Sequence, residues 1–231
     1  MVKLLCIALL LLLIISCNNK SQTTQKALKQ TEININDSVT EIYIDSNTIG
    51  IKGLHKLEVK RIKGKDSIYA AILFSEKINN NWKIKQHFIC EKDGVTGCFP
   101  IIKDYNNDGY YDFSYVSGIA ARGANEIRTL FIFEKDSLML IRNSALYPNI
   151  KYNVDIDCIE ATAYYGGYTC YFLKLKQDSL ALFASVDHFE DIREVNLYDA
   201  NEKQISIKRD SFNMRKKGFT FYKSLVPLVE Y

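Results

Sequence analysis

From residue 33 onward, the chain is a succession of short runs in which apolar and polar residues alternate and β-branched or aromatic residues dominate. Such runs predict β-strands, because successive side chains of a strand point to opposite faces. They fall at 68–74, 82–89, 110–116, 129–133, 138–141, 158–164, 170–175, 180–185, 195–198 and 204–208. No stretch keeps a helical apolar period beyond one or two turns. We therefore predict an all-β fold, an antiparallel meander or sandwich of about 8–11 short strands.

A recurring triplet supports the meander. Asp-Ser followed by an apolar residue begins at Asp37, Asp66, Asp136, Asp178 and Asp210. Asp and Ser side chains hydrogen-bond to nearby backbone and favour turns, so these triplets indicate hairpin turns. Their spacing is irregular, which argues against a propeller built from blades of constant length.

The first seventeen residues predict an export signal. Lys3 precedes a continuous apolar run over 4–15, which is too short to span a bilayer comfortably. The run ends in Ile14-Ile15-Ser16-Cys17, which resembles the bacterial lipobox, where a small residue precedes the cysteine that receives a lipid. The alternative is an ordinary secretory signal that happens to contain a cysteine.

These features predict the organisation of the chain. Residues 1–16 form a signal peptide, and 17–30 comprise the lipidated Cys17 and a polar, flexible tether. Residues 31–231 form a single β domain, in which 31–60 is either a peripheral hairpin or a small separate piece. The 30 Lys and Arg residues against 27 Asp and Glu residues are too nearly balanced to indicate a nucleic-acid partner.

Four cysteines lie in the predicted domain: Cys90, Cys98, Cys158 and Cys170. In an exported protein they predict two disulfides. Three connectivities are open, of which Cys90–Cys98 with Cys158–Cys170 fits the strand pattern best. Metal binding by these cysteines is the alternative, but neither pair has Cys-x-x-Cys spacing or a neighbouring histidine.

The sharpest chemical motif lies between two predicted strands and offers oxygen ligands at positions 1, 3, 5 and 9 of a loop, with a backbone carbonyl at position 7. Gly109 takes position 6, where a cation-binding loop must turn sharply. Position 12 holds Tyr115 instead of the Glu of an EF-hand, and no flanking helices are predicted. We predict an EF-hand-like Ca²⁺ loop with these ligands: Asp104, Asn106, Asp108, Tyr110 and Asp112. The alternative is an Asx-rich hairpin turn without an ion.

The segment 115–126 follows directly and is rich in Gly and Ala. It contains Ser117, Gly118, Arg122 and Asn125. A loop of small residues with one cation suits insertion into the acidic cleft of a partner. The alternative, which we weigh slightly higher from these residues alone, is an ordinary long hairpin connection.

The order of these motifs resembles a family. The stretch from Pro100 to Phe113, the glycine-containing segment after it and the strand at 129–133 resemble bacterial periplasmic lipoproteins that carry one calcium loop on a β fold. Some members are immunity proteins or inhibitors of peptidoglycan hydrolases, akin to periplasmic inhibitors of i-type lysozyme. In such inhibitors a Ser-Gly loop ending in Tyr enters the enzyme cleft. Ser117-Gly118 matches its start, but no Tyr follows, and Arg122 is the nearest large polar residue.

The resemblance implies a lipid-anchored protein of the cell envelope, in the outer membrane and facing the periplasm, since Asn18 rather than Asp follows Cys17. It implies a partner-binding loop at Ser117, Gly118, Arg122 and Asn125. The expected function is to bind a cell-wall hydrolase, and inhibition of that enzyme is the finer expectation. The alternative is a non-catalytic structural or glycan- or protein-binding surface lipoprotein.

No catalytic constellation is recognisable, so we do not expect an enzyme. The chain has no Gly-x-Ser-x-Gly elbow, P-loop or dinucleotide fingerprint. Asp187-His188 suggests an acid–base or metal pair, but we prefer a solvated loop at the end of a strand. The tyrosines at 164, 165, 168 and 171 suit stacking on sugar rings, and hairpin packing is the preferred alternative.

Overall fold

The computed structural model describes residues 37–201 and 203–231. Within them lie sixteen β-strands, two short 3-10 helices and one four-residue α-helix. None of the helices in these two ranges is long and apolar enough to cross a membrane. The predicted signal peptide, the lipidated Cys17 and nearly all of the tether lie outside the described residues.

The first two sheets have four strands each, in chain order. Sheet A consists of β1 (Ser38–Asp45), β2 (His55–Lys63), β3 (Ile68–Ile78) and β4 (Asn81–Lys92). Sheet B consists of β5 (Ile101–Lys103), β6 (Asp112–Ala120), β7 (Asn125–Glu134) and β8 (Ser137–Ile141). The 3-10 helix η1 (Ala121–Gly123) joins β6 to β7, and η2 (Ser144–Leu146) follows β8.

Sheet C continues the meander with six strands: β9 (Lys151–Asn153), β10 (Cys158–Tyr164), β11 (Tyr168–Lys176), β12 (Ser179–Phe189), β13 (Ile192–Tyr198) and β14 (Gln204–Ser211). The helix α1 (Met214–Lys217) leads to a terminal hairpin of β15 (Tyr222–Leu225) and β16 (Leu228–Glu230). Within each sheet, every strand pairs antiparallel with its neighbour in the chain, which confirms the predicted all-β antiparallel fold.

The structure has more strands than the sequence pattern predicts, for a physical reason. β5, β9 and β16 have only three residues each, too few to show a period of two. β14 coincides with the predicted run at 204–208, although it is exposed along nearly its whole length. Within the segment 31–60, the described residues from 37 onward join sheet A, because β1 and β2 pair with each other and β2 pairs with β3.

Sheet B lies between two apolar cores because its alternate side chains point to opposite faces. Phe113, Tyr115, Phe131 and Phe133 join residues of sheet A in the first core. Leu130 and Ile132 join residues of sheet C in the second core. Since both faces are buried, β7 reads as a continuous apolar run instead of an alternating one.

The opposite face of sheet C forms a third core with the terminal hairpin. It contains these buried residues: Cys158, Tyr168, Cys170, Phe172, Ala184, Val186, Val195, Tyr222 and Leu225. Sheets B and C thus each contribute to two of these three cores.

His188 is buried in this region and is not the solvated loop residue that the sequence suggests. It lies in β12 with no exposed surface. The Tyr168 ring stacks on its imidazole at a centroid distance of 4.1 Å, and Nε2 hydrogen-bonds with the Tyr222 hydroxyl at 2.6 Å. Burial, together with the nearby Arg193 cation, lowers the pKa of His188 to about 4.

The buried His188 makes stability depend on pH. In the unfolded chain its pKa is about 6.5, so below that pH the unfolded state binds a proton that the folded state does not. The stabilisation present above pH 6.5 is therefore lost as pH falls towards 4. We expect this residue to lower the free energy of unfolding by about 2 kcal/mol between pH 7.5 and pH 5.

Urea unfolding at both pH values checks the expectation, with His188→Phe as the comparison. The wild-type protein should lose more stability on acidification than the variant, because other titrating groups are common to both. Equal losses would contradict the role of His188.

Candidate functional site

The predicted calcium loop occupies residues 104–111, between β5 and β6. Asp104 organises it by accepting backbone N–H groups: Oδ1 accepts from Asn106 at 3.2 Å and from Asn107 at 2.5 Å, and Oδ2 accepts from Gly109 at 3.0 Å. Gly109 has a φ of 87°, a left-handed conformation that side chains disfavour. The glycine therefore permits the turn that brings its N–H back to the first ligand position.

Asp112 closes the loop from inside the protein. It has no exposed surface, and its two oxygens accept the backbone N–H groups of Tyr105 at 2.7 Å and Phe133 at 2.9 Å. Burial raises the pKa of Asp112 to about 7; the two hydrogen bonds oppose this, and the charges of Asp108 and Asp104 add to it. The three carboxylates therefore interact electrostatically, although Asp112 is buried, Asp104 is partly buried and Asp108 is exposed.

The donor chemistry of the loop fits a hard cation. Its carboxylates, amide and carbonyl supply the oxygen ligands that Ca²⁺ prefers. Among the described residues, no Lys or Arg forms an ion pair with Asp104, Asp108 or Asp112. In the same residues, no group of three or more acidic, His or Cys side chains is gathered to hold a metal. The loop carboxylates instead turn onto backbone N–H groups, and the calcium site stays a prediction.

The connection between β1 and β2 contacts the loop at Gly50. The N–H of Gly50 donates to the carbonyl of Tyr111 at 3.1 Å. A Cβ at Gly50 would lie 2.7 Å from the Phe133 ring, so only glycine allows this approach. Beside the contact is a shallow cavity of about 160 Å³, lined by Ile51, Asp108, Tyr110, Phe133 and the β7–β8 turn at 134–136.

The predicted partner-binding segment is a hairpin, not a long loop. Ser117 and Gly118 lie inside β6, and only residues 121–124 connect the strands. The Ser117 hydroxyl donates to the carbonyl of Ile127 across the hairpin at 3.3 Å, and Gly118 is buried against Asp93. The ordinary hairpin connection therefore describes most of 115–126, and Ser117 and Gly118 are not placed to contact a partner.

The hairpin tip is exposed and tightly turned. Ala121, Arg122 and Gly123 have successive φ values of 49°, 56° and 94°, and residues 119–124 are all exposed. Arg122 takes part in no ion pair within the described part of the chain. The tip thus presents one guanidinium without an ion pair, on a backbone whose positive φ values are disfavoured for residues other than glycine.

Asp93 supports the hairpin from the end of β4. Its N–H donates to the Ser117 carbonyl at 2.8 Å, and Oδ2 accepts from the N–H of Ile119 at 3.1 Å. The buried Lys92 ammonium donates to Oδ1 at 3.0 Å. Burial acts to raise the pKa of Asp93, but the Lys92 and backbone hydrogen bonds outweigh it and lower the pKa. No local sequence signal indicates the role of Asp93 in the hairpin, because its hairpin partners Ser117 and Ile119 are more than twenty positions away.

Asn125 is structural and joins the hairpin to sheet C. Its side-chain amide donates to the carbonyl of Tyr164 at 2.9 Å, and Oδ1 accepts the N–H of Tyr164 at 2.8 Å. Asn149 adds a second link, since its amide donates to the carbonyls of Ala124 and Thr162. These contacts fix the base of the hairpin beside the β10–β11 turn.

All four body cysteines are free thiols in the structure. Burial raises the pKa of Cys90 and Cys98 to about 11 and that of Cys158 and Cys170 to about 12. They are therefore protonated and poor nucleophiles at neutral pH.

The strand register bears on the predicted disulfides. Thr162 lies opposite Cys170, and Cys158 is four residues away along β10, which is roughly 13 Å at about 3.3 Å per residue. Bridged Cα atoms lie about 4.4–6.8 Å apart, so a Cys158–Cys170 disulfide requires a different register. Cys90 and Cys98 belong to one core and both lie near Tyr115, and their pairing stays a prediction.

Comparison with known proteins gives little. No protein-family model matches the chain, and no curated protein is similar to it in sequence. Among solved structures, the chain is similar to a Xanthomonas protein described as related to the type IV secretion system. The two share 12% identity over 77% of this chain and 96% of that one, with a TM-score of 0.41. A likeness this distant carries no conclusion about the activity of this chain.

Calcium should stabilise the protein if the loop binds it. With a dissociation constant of about 10⁻⁴–10⁻³ M, 10 mM Ca²⁺ would add about 1.5–3 kcal/mol. We expect the chain from residue 18 onward to melt several degrees higher in Ca²⁺ than in chelator. Differential scanning calorimetry measures the shift.

Asp108→Ala should abolish the calcium-dependent shift, because it removes a ligand that makes no contact outside the loop and the cavity beside it. Asp66→Ala is the matched control, since Asp66 is an exposed aspartate in the β2–β3 turn. Equal melting temperatures of the wild-type protein in Ca²⁺ and in chelator would refute the site.

Proposed function

We propose that this protein is a lipid-anchored, non-catalytic envelope protein whose calcium-stabilised β domain binds and inhibits a peptidoglycan hydrolase. The observation that carries the proposal is the β6–β7 hairpin, which projects an unpaired Arg122 from a supported base. The predicted lipid on Cys17 anchors the protein in the membrane, and the β domain presents the hairpin to the partner.

The support beneath the tip favours binding with little loss of entropy. Asp93 holds one strand of the hairpin at Ser117 and Ile119, and Asn125 holds the other strand. A binding element that is already ordered loses less conformational freedom on association, so more of its contact energy appears as affinity.

The chemistry of the tip suits the class of partner. Hydrolases that cleave glycan strands commonly place two carboxyl groups in a cleft. A guanidinium can pair with a carboxylate through two parallel N–H···O bonds. The small side chains of Ala120, Ala121 and Ala124 let the narrow tip enter such a cleft.

A lytic assay tests the proposal. The chain from residue 18 onward should slow lysis of cells or peptidoglycan by lysozyme-type enzymes. Arg122→Ala should weaken this inhibition by about tenfold or more, as expected for a central charged contact.

Arg215→Ala is the matched control, because Arg215 is an exposed arginine on α1 without an ion pair in the described chain. It should inhibit like the wild-type protein. Absence of inhibition across a panel of lysozyme-type and other muralytic enzymes would refute the function, and equal weakening by both substitutions would refute the role of the hairpin.

A further inference from the structure

A second polar cluster lies on the face of sheet C that points away from the third core. It centres on Asp187 of β12, which is half-buried. Its Oδ1 accepts the hydroxyl of Thr169 at 2.6 Å, and its Oδ2 accepts the hydroxyl of Ser185 at 3.1 Å and the amide of Asn196 at 2.9 Å. The strand register explains the convergence, since Thr169 lies opposite Asp187 and Ser185 lies opposite Asn196.

The three donors are almost completely buried. Thr169, Ser185 and Asn196 are exposed by only 3%, 1% and 2%, so their geometry is fixed by packing. Asn196 also holds a buried Oδ1 that accepts no hydrogen bond from the described protein. An unpaired buried acceptor costs free energy, but this oxygen has almost no accessible surface and takes no part in contacts with a ligand.

Tyrosines surround this cluster. The Tyr165 hydroxyl lies 2.8 Å from the Thr169 hydroxyl, and the Tyr198 hydroxyl lies 3.3 Å from the Ser185 hydroxyl. Tyr171 lies beside Thr169 and Asp187. Burial raises the pKa of its hydroxyl, a hydrogen bond with Thr169 lowers this pKa, and the charge of Asp187 raises it. Tyr165 is 50% exposed.

We propose that the tyrosine-lined face around Asp187 binds a neutral saccharide. The exposed Tyr165 ring packs against the apolar face of a sugar ring. The partly exposed Asp187 carboxylate and the hydroxyls of Tyr165 and Tyr198 exchange hydrogen bonds with sugar hydroxyl or amide groups. The buried donors keep the carboxylate in place before the ligand arrives, which reduces the loss of freedom on binding.

The hydrogen-bond count favours a sugar over a cation. A carboxylate has about four acceptor sites, and three at Asp187 are taken by neutral donors. The remaining site suits one hydroxyl donor. No described Lys or Arg pairs with Asp187, so the protein itself solvates this charge with hydroxyl and amide dipoles.

The proposed saccharide site lies near the base of the β6–β7 hairpin, but its function does not depend on that of the hairpin. Asn125 at the hairpin base bonds to Tyr164, the residue before Tyr165. A glycan bound at the tyrosine-lined face would therefore lie at the same end of the domain as Arg122. The saccharide site does not require that the hairpin inhibit a hydrolase, and separate assays test the two.

The test is calorimetric and NMR titration of the full-length protein, purified in mild detergent, with chitotetraose, cellotetraose and soluble peptidoglycan strands. We expect saturable binding to at least one of them. Comparison of chitotetraose with cellotetraose shows whether the acetamido groups of the sugar contribute to binding. Tyr165→Ala and Asp187→Asn should each weaken that binding about fivefold or more. Because Tyr165 is exposed, its variant should fold even if Asp187→Asn does not.

Tyr231→Ala is the matched control, because Tyr231 is an exposed tyrosine, 63% accessible, whose hydroxyl donates to Asp155 and not to this cluster. It should bind like the wild-type protein. The proposal is overturned if no probe binds saturably, or if Tyr165→Ala binds as tightly as Tyr231→Ala. It is also overturned if tetramethylammonium binds at Asp187 while the saccharides do not.

Discussion

The buried carboxylate of Asp112 is the constraint on which the central sheet and its loop depend. In the register of β6 and β7, Tyr111 would lie opposite Phe133, yet the Tyr111 carbonyl accepts a hydrogen bond from Gly50 in the β1–β2 connection. The N–H of Phe133 is therefore satisfied by the Asp112 side chain. One carboxylate thus completes the hydrogen bonds of sheet B, ties the loop to it through Tyr105, and carries a charge that burial disfavours.

Sheet B is buried on both faces and keeps Ser114 and Arg128 inside by hydrogen-bonding them to each other, and its two candidate functional segments lie at its ends. At one end lies the loop with Asp104, Asp108 and Asp112. At the other lies the hairpin tip, whose backbone groups are satisfied by Asp93 and Asn149. The two functional candidates of the central sheet therefore arise from the same requirement, that buried backbone groups find partners.

The sequence predicts the elements whose signal is local. The alternating runs gave the all-β meander, and the spacing of oxygen ligands around Gly109 indicated a loop that the structure holds by hydrogen bonds from its own backbone to Asp104. Other features depend on residues far apart in the chain. Glycine and alanine suggested a loop at 115–126, but pairing with β7 makes most of it strand. Burial of His188 depends on Tyr168 and Tyr222, so the polar neighbours of this histidine in the sequence suggested a solvated loop.

Asp112 and Asp187 show how the same side chain acquires different chemistry from its position in a sheet. Both accept hydrogen bonds from neutral donors, and neither pairs with a described Lys or Arg. Asp112 is fully buried and near two further carboxylates, so we propose a divalent cation as the partner that would relieve both burial and repulsion. Asp187 is partly exposed, stands without a second carboxylate in its hydrogen-bond network, and is bordered by hydroxyls and aromatic rings. Its surroundings match a neutral, hydroxyl-rich ligand, because they offer directed hydrogen bonds and a ring face but no further charge.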